Sequence, residues 1–482
     1  MIRGGRRLRL SDKLSLTLAL SFPAIMAQLS NIVMQYIDAA MVGSLGADAA
    51  ASIGLVSTTT WLFFGLLSAA STGFAVQVAH LLGASRRDDA NSVLRQAFGS
   101  LIIYSCIIGL LGVLIAPFLP GWLGGDSVIC EGAMSYFLIF ALSIPVLQLN
   151  FVAAAMLRCS GNMVVPGVMN VVMCILDVIF NALLIFETRD VSLLGLSFTM
   201  PGAGLGVTGA ALGTAAAELV CVTALIAYLC RRGGELHLPG PLRDFRLRLQ
   251  TLRKALRIGF PMCVERIIFC SAQIFITVIV APLGTAAIAA NAFSITIESL
   301  CYMPGFGIAD AATTLVGQSI GAGRRDLALS FGRITVATGV IVMTLAGLLM
   351  FIFAPKMIGT MTQVQEVRDL SVTALRIEAF TEPLYAASIV AYGVFVGSGD
   401  TVVPCTMNLV SIWAVRIPLA YLLASSMGLA GVWLAMAIEL SFRGIIFLIR
   451  LLRGRWMKIG QTPPDNAVAI VNQNEITDTY EA

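Results

Sequence analysis

The sequence predicts an all-α polytopic membrane protein, with twelve transmembrane helices in two six-helix lobes related by a parallel internal repeat. Of its 482 residues 58% are hydrophobic and 12% charged, against roughly 45–50% and about 25% in a soluble domain. The apolar residues form long continuous runs, which excludes the every-second-residue alternation of a porin-like barrel. At about 20 apolar residues per crossing, the length accommodates about twelve helices and little else.

The elements follow in order. Residues 1–13 form a basic N-terminal segment with Arg3, Arg6, Arg7, Arg9 and Lys13. The apolar run after it is too long for a cleaved leader and contains Pro23, so it reads as an uncleaved first helix. Helices are predicted near residues 14–42, 49–82, 92–117, 130–157, 164–186 and 205–230, making a first lobe over 14–230. A basic linker spans 231–253. Helices near 254–281, 288–319, 332–354, 369–396, 402–425 and 429–452 make a second lobe over 254–453. The tail, 454–482, turns polar after Lys458, carries Pro463 and Pro464, and is expected to be disordered.

A shift of 238 residues lays the second half on the first. Pro23 meets Pro261, the turn Gly83-Ala84-Ser85-Arg86-Arg87-Asp88 meets Gly321-Ala322-Gly323-Arg324-Arg325-Asp326, and Pro145 meets Pro383. Farther along, Ser160-Gly161 meets Ser398-Gly399 and Met169-Asn170 meets Met407-Asn408. Six helices is an even number, so both copies enter the membrane from one side and are related by an axis along its normal. Two parallel bundles with a cleft between them are an alternating-access architecture.

Short loops on the side of the N-terminus hold 24 Lys and Arg against 3 on the other, Arg189, Lys356 and Arg368. Both termini are therefore expected in the cytoplasm. Eight of those cations lie between Arg231 and Arg257, interleaved with Leu242, Phe245, Leu249, Leu252 and Leu256 at near-helical spacing. Such a segment is expected along the inner lipid headgroups. The net charge of +4 with scattered basic residues excludes nucleic acid as a main partner. Ten single cysteines and two histidines suggest neither a zinc site nor a disulfide framework, and the cysteines read as small packing residues.

Charges inside helices are costly unless paired or hydrated, so they carry information. On the first helix Asn31, Gln35 and Asp38 share one face, and on the fifth Asn170, Asp177 and Asn181 do. Neither helix supplies a basic partner. Two carboxylates with several amides suit a proton or a Na⁺, so Asp38, Asp177 and Asn181 are the predicted cation-coupling group and Asn31, Gln35 and Asn170 line its cavity. A polar network that merely locks helices together is the competing reading.

In the second lobe Ile276 and Val415 replace the two acids, while Glu265, Glu298, Glu378 and Glu382 are expected to share a region with Arg376 and Arg416. Glu378, Glu382 and Tyr385 lie on one face. Glu265 is the foremost functional candidate there, with Glu298, Glu382 and Tyr385 as further cavity residues. Asp310, Glu218, Glu439, Arg443 and His80 read as helix-end or packing features. Pro23, Pro145, Pro261 and Pro383 fall inside helical runs and are expected to bend them.

The stretch Ser21-Phe22-Pro23 through Asp38 to Gly43-Ser44-Leu45-Gly46, the Gly-Ala-Gly-Arg-Arg-Asp turn, Gly397-Ser398-Gly399-Asp400-Thr401 and Gly431-Val432-Trp433 resemble the multidrug and toxic compound extrusion (MATE) family over about residues 14–458. Asp38 and Pro23 resemble the first-helix acid and proline of its prokaryotic DinF-like branch. There helix five usually reads Asn-x3-Asp, whereas here Asp177 and Asn181 stand in exchanged order. The resemblance implies two lobes in a V and a place in a bacterial inner membrane. It further implies export of amphipathic, often cationic compounds in exchange for H⁺ or Na⁺. No cofactor is expected beyond the coupling ion, and the chain is expected to act as a monomer. The alternative is a flippase of lipid-linked saccharides from the same superfamily. No nucleophile triad, H-E-x-x-H or phosphate-binding loop supports an enzyme.

Overall fold

The computed structural model describes residues 8–193, 196–231, 234–238 and 248–458. Among the described residues eleven helices are long and apolar enough to cross a membrane, and a further pair, bent at a short break, makes twelve when counted as one span. The first lobe comprises α1 (Leu10–Gly43), α2 (Ala47–Gly83), α3 (Arg87–Ile115), α4 (Ser127–Cys159), α5 (Val164–Leu184) and α6 (Gly206–Arg231). The second comprises α7 (Leu249–Val280), α8 (Thr285–Gly321), α9 (Arg325–Met361), the broken α10 (Gln365–Ala379 and Glu382–Gly397), α11 (Val402–Met427) and α12 (Leu429–Arg453). This is the predicted twelve-span, two-lobe protein.

The repeat extends to the lipid-facing surface. Ile103, Ile107, Leu110, Leu111 and Leu114 stand exposed on α3, and their counterparts at the same shift, Ile341, Leu345, Leu348, Leu349 and Ile352, stand exposed on α9. An aliphatic stripe open to the surroundings is stable only against hydrocarbon. The interior is divided instead between separate cores, such as Phe74, Leu94 and Met156 in the first lobe and Phe331, Phe395 and Phe447 in the second.

The lobes are joined by exchange. α1 runs along α8 and α2 along α7, whereas α1 and α2 barely touch each other. Close approach is made possible by glycine: a Cβ on Gly83 would lie 2.1 Å from the Gln318 carbonyl oxygen, and one on Gly321 would lie 2.0 Å from that of His80. These two positions are equivalent in the repeat. Small residues that let backbones meet are the usual basis of helix association in a membrane.

Several elements differ from the prediction. The tenth helix is interrupted, its halves bent by 60°. Thr381 makes the break by turning its hydroxyl onto the Glu378 carbonyl at 2.8 Å, and Pro383, expected inside a helix, opens the second half at its first turn. Pro145, its counterpart, lies within an unbroken helix, as do Pro23 and Pro261. In α11 residues Ile412–Arg416 form a π-turn.

An antiparallel hairpin of β1 (Glu187–Leu193) and β2 (Leu196–Ala203) connects α5 to α6, pairing Asp190 with Thr199. α1 begins at Leu10 within the expected N-terminal segment, and Lys13 Nζ donates to Ser330 Oγ of α9 at 2.9 Å. Leu249, Leu252 and Leu256 of the expected amphipathic linker belong to the first turns of α7, whereas Leu242 and Phe245 lie outside the described residues. The chain stays packed past 454: Arg455–Lys458 forms a 3₁₀ turn with Trp456 fully buried against Phe395. The rest of the tail, with Pro463 and Pro464, is outside the described residues.

Candidate ion-binding site

Asp38 lies in the last turns of α1, far from the Arg86/Arg87 end of the bundle, and α5 presents Asp177 and Asn181 one turn apart opposite it. The Asn181 amide holds the group together. Its Nδ2 donates to Asp38 Oδ1 at 2.9 Å and to Asp177 Oδ2 at 3.0 Å. Asp177 and Asn181 are fully buried, and Asp177 Oδ1 and Asn181 Oδ1 have no hydrogen-bond partner. Two carboxylates without a cationic neighbour, beside two unpartnered oxygens, supply the oxygen ligands that a hard monovalent cation or a shared proton requires. Thr214 of α6 lies against Asp177, and α6 comes this close because residue 213 is glycine: a Cβ there would meet Asn181 Oδ1 at 2.1 Å. Of the predicted cavity residues, Gln35 is exposed on α1, and Asn31 and Asn170 are half-buried and outside the hydrogen-bonded group.

Asn150 carries no signal in the sequence, and Glu218, expected as a helix-end or packing feature, is buried in mid-α6, where Asn150 Nδ2 of α4 donates to its Oε2 at 2.6 Å. Its position in an apolar run is the signal that singled out Asp177, and Thr214 stands one turn before it.

The second lobe separates acids expected to lie together. Glu265 has its own nest: Tyr392 OH and Cys405 Sγ donate to Oε2 at 2.7 and 2.9 Å, and Asn408 Nδ2 donates to Oε1 at 2.6 Å. Asn408 is the repeat counterpart of Asn170. Cys405 thus acts as a donor, not only as filler.

A second group forms around Glu439, which was read as a packing residue but is fully buried. Arg416 Nε and Nη2 donate to its Oε2 at 2.9 and 2.6 Å, and Arg443 Nε lies 3.2 Å from its Oε1. The π-turn ends at Arg416, the residue after Val415, which is the counterpart of Asp177. Beside this group lie Glu298, Glu378 and Glu382, all buried, with neither oxygen of Glu382 partnered. Tyr385 stands under the Arg443 guanidinium, 5.6 Å from its ring centroid. Arg376 does not join the acids. It is exposed and stacks over Phe351 at 5.4 Å.

Between the lobes, the end bearing the Arg86/Arg87 and Arg324/Arg325 turns is shut. His80 Nε2 donates to the Gly397 carbonyl at 2.8 Å, and Gln318 Nε2 donates to that of Cys159 at 2.8 Å. These bonds are images of each other, since Gln318 and Gly397 are the repeat counterparts of His80 and Cys159. Toward the other end, α1 and the second lobe leave a crevice of about 470 Å³, bounded by Tyr36, Ile297, Leu300 and Phe353.

Two membrane-embedded lobes, shut at one end and carrying buried acids away from that end, define a transporter rather than an enzyme. The MatE family model matches residues 23–183 and 261–422, once per lobe at the spacing of the repeat, and the chain belongs to this family. It is 27% identical over 460 residues to the probable multidrug resistance protein NorM of Thermotoga maritima, covering 91% of this chain and 92% of that one. Among solved structures it superposes on the bent form of the Vibrio cholerae MATE transporter VcmN with a TM-score of 0.82 at 20% identity, covering 93% and 98% of the two chains. It likewise superposes on an outward-facing multidrug resistance MATE transporter of the MOP superfamily, with a TM-score of 0.83 at 19% identity, covering 95% and 98%.

Proposed function

We propose that the protein is a secondary active multidrug efflux antiporter that exchanges amphipathic, often cationic compounds for H⁺ or Na⁺ by alternating access. The observation that carries this is the Asp38–Asn181–Asp177 group, which bridges α1 and α5 in a lobe whose helices carry Lys or Arg only toward the opposite end, at Lys13, Arg87, Arg95, Arg158 and Arg231. A cation on these carboxylates neutralises charge that otherwise costs several kcal/mol or more inside the membrane. Its binding therefore biases how α1 and α5 sit together, and preferential binding to one lobe arrangement is what coupling requires. Pro23 lies about four turns along α1 from Asp38, and its carbonyl is approached closely by Gly167 of α5, so a bend there moves one wall of the site.

In this reading the Arg-rich turns and both termini are cytoplasmic, the membrane is the bacterial inner membrane, and the shut cytoplasmic end makes the form outward-facing. The name of the Thermotoga relative supports drug export. The working unit is a monomer, no further cofactor is needed, and lipid surrounds the aliphatic stripes.

A flippase for an anionic lipid-linked saccharide needs unpaired basic residues in its cavity. Here Arg416 and Arg443 are engaged with Glu439 and Arg376 with Phe351, which leaves Arg266, whose side-chain carbons pack on Gly65, as the single basic residue of these four without such a partner among the described residues. Ethidium efflux from cells tests the proposal: wild type exports the dye and Asp38→Asn loses most of that export. No export by wild type favours the flippase.

A further inference from the structure

We propose that Glu218 is a proton-binding carboxylate coupled to the Asp38–Asp177 pair, so that each turnover moves one proton in addition to the cation on the pair. This rests on the antiport reading of that pair.

Glu218 is 6% exposed, and Asn150 is its hydrogen-bond partner. An amide satisfies one oxygen but leaves the charge in place. The charged and titratable groups facing it are of no help: Asp177 of α5 acts on it electrostatically, Asp38 of α1 and the phenol of Tyr136 on α4 lie around Asp177, and Cys221 follows one turn later on α6. From α2 the one titratable group of the inner turns is His80, which is committed to the other lobe. Among the described residues no ion pair includes Glu218.

The contrast with Glu439 is instructive, because that acid is equally buried but holds two arginines. A merely structural partner for Asn150 needs no acid, since glutamine would accept the same hydrogen bond without the cost of a buried charge. Protonation forms one O–H bond on Oε1 while Oε2 keeps the Asn150 bond, so the chemistry is complete without another reactant. Asn150 presents an N–H donor to the carboxylate, not an oxygen ligand, which favours a proton over a metal ion here.

The link to the pair runs along α6. Thr214, one turn from Glu218, lies against Asp177, and the unpartnered Asn181 Oδ1 points at Gly213 beside it. Asp177 also acts on Glu218 electrostatically, so a cation on the pair favours the charged form of Glu218 and its departure favours the protonated form.

The test uses full-length protein in liposomes and two readouts. In infrared difference spectra between acidic and alkaline pH, an Asp38→Asn, Asp177→Asn double variant retains a titrating carboxyl band that disappears when Glu218→Gln is added. Glu218→Asp in its place restores a band at a shifted frequency. Identical spectra with and without Glu218→Gln overturn the proposal. In the second readout, ethidium flux is followed as a function of an imposed membrane potential. Wild type moves one net charge per ethidium and responds to the potential, whereas Glu218→Gln exchanges one cation for one ethidium and loses that response while flux stays gradient-driven; an unchanged response again overturns the proposal. Should the double variant keep full gradient-driven flux, the role of the pair fails, and the spectra still decide Glu218.

Discussion

One amide, that of Asn181, serves both carboxylates of the candidate site, which makes its placement critical. Gly213 controls that placement from α6, because a methyl group there would stand 2.1 Å from Asn181 Oδ1 against a fully buried side chain. Overpacking of this kind costs about 1–3 kcal/mol. Gly213→Ala is therefore expected to lower gradient-driven ethidium flux about tenfold while leaving the protein folded, as measured in proteoliposomes. Glu439 plays the opposite part, pairing with the charged guanidiniums of Arg416 and Arg443 inside the second lobe. Its loss leaves buried cations unpaired, a change worth about 3–5 kcal/mol. Glu439→Gln is expected to lower the thermal unfolding midpoint markedly, whereas Arg376→Gln, which removes an exposed stacked cation, leaves it nearly unchanged. The spacing of Asp38, Asp177 and Asn181 was legible from periodicity, because helices one and five are regular between these residues. Glu439 was not, since its partner Arg416 depends on a π-turn that a fixed 3.6-residue period does not register.

At the level of elements, the paired bonds from His80 and Gln318 hold the basic end shut. Each is worth about 0.5–1.5 kcal/mol, so losing both favours opening by roughly tenfold or more. Cys159 reports on this, being buried beneath the contact with Ala75 and Ala79. A His80→Ala, Gln318→Ala double variant is expected to react with a thiol reagent at Cys159 at least several-fold faster than wild type, measured by mass spectrometry on the intact protein. Equal rates would show that glycine packing, not these bonds, sets the closure. The helices themselves were readable from their apolar runs to within about five residues at each end, except that α9 runs seven residues beyond the expected 332–354 on both sides. The break in α10 was not, because it depends on Thr381 turning back on Glu378, a local competition of side chain with helix backbone that a proline alone does not specify: Pro145 sits in an intact helix. The hairpin between α5 and α6 lies in a stretch too short and mixed to announce strands against the strong helical signal on either side.

Across the whole molecule the repeat governs scaffold, closure and the basic turns, while the acids buried in mid-membrane do not repeat. The mirrored stripes on α3 and α9, the equivalent glycines Gly83 and Gly321 and the mirrored latch bonds all follow the 238-residue shift. Asp38, Asp177 and Glu218 inside the first lobe stand without cations, while part of the second lobe's acidity is neutralised by Arg416 and Arg443. The proposal of ion coupling in the first lobe rests on this division, and the sequence already contained it, because a charge in an apolar run is visible without knowing any contact. The most direct test reconstitutes wild type and Asp38→Asn in liposomes and follows ethidium under an imposed pH gradient and, separately, a Na⁺ gradient. The account predicts that one of the gradients drives dye movement by wild type and neither does so through Asp38→Asn; equal gradient-driven flux through the two proteins would contradict it.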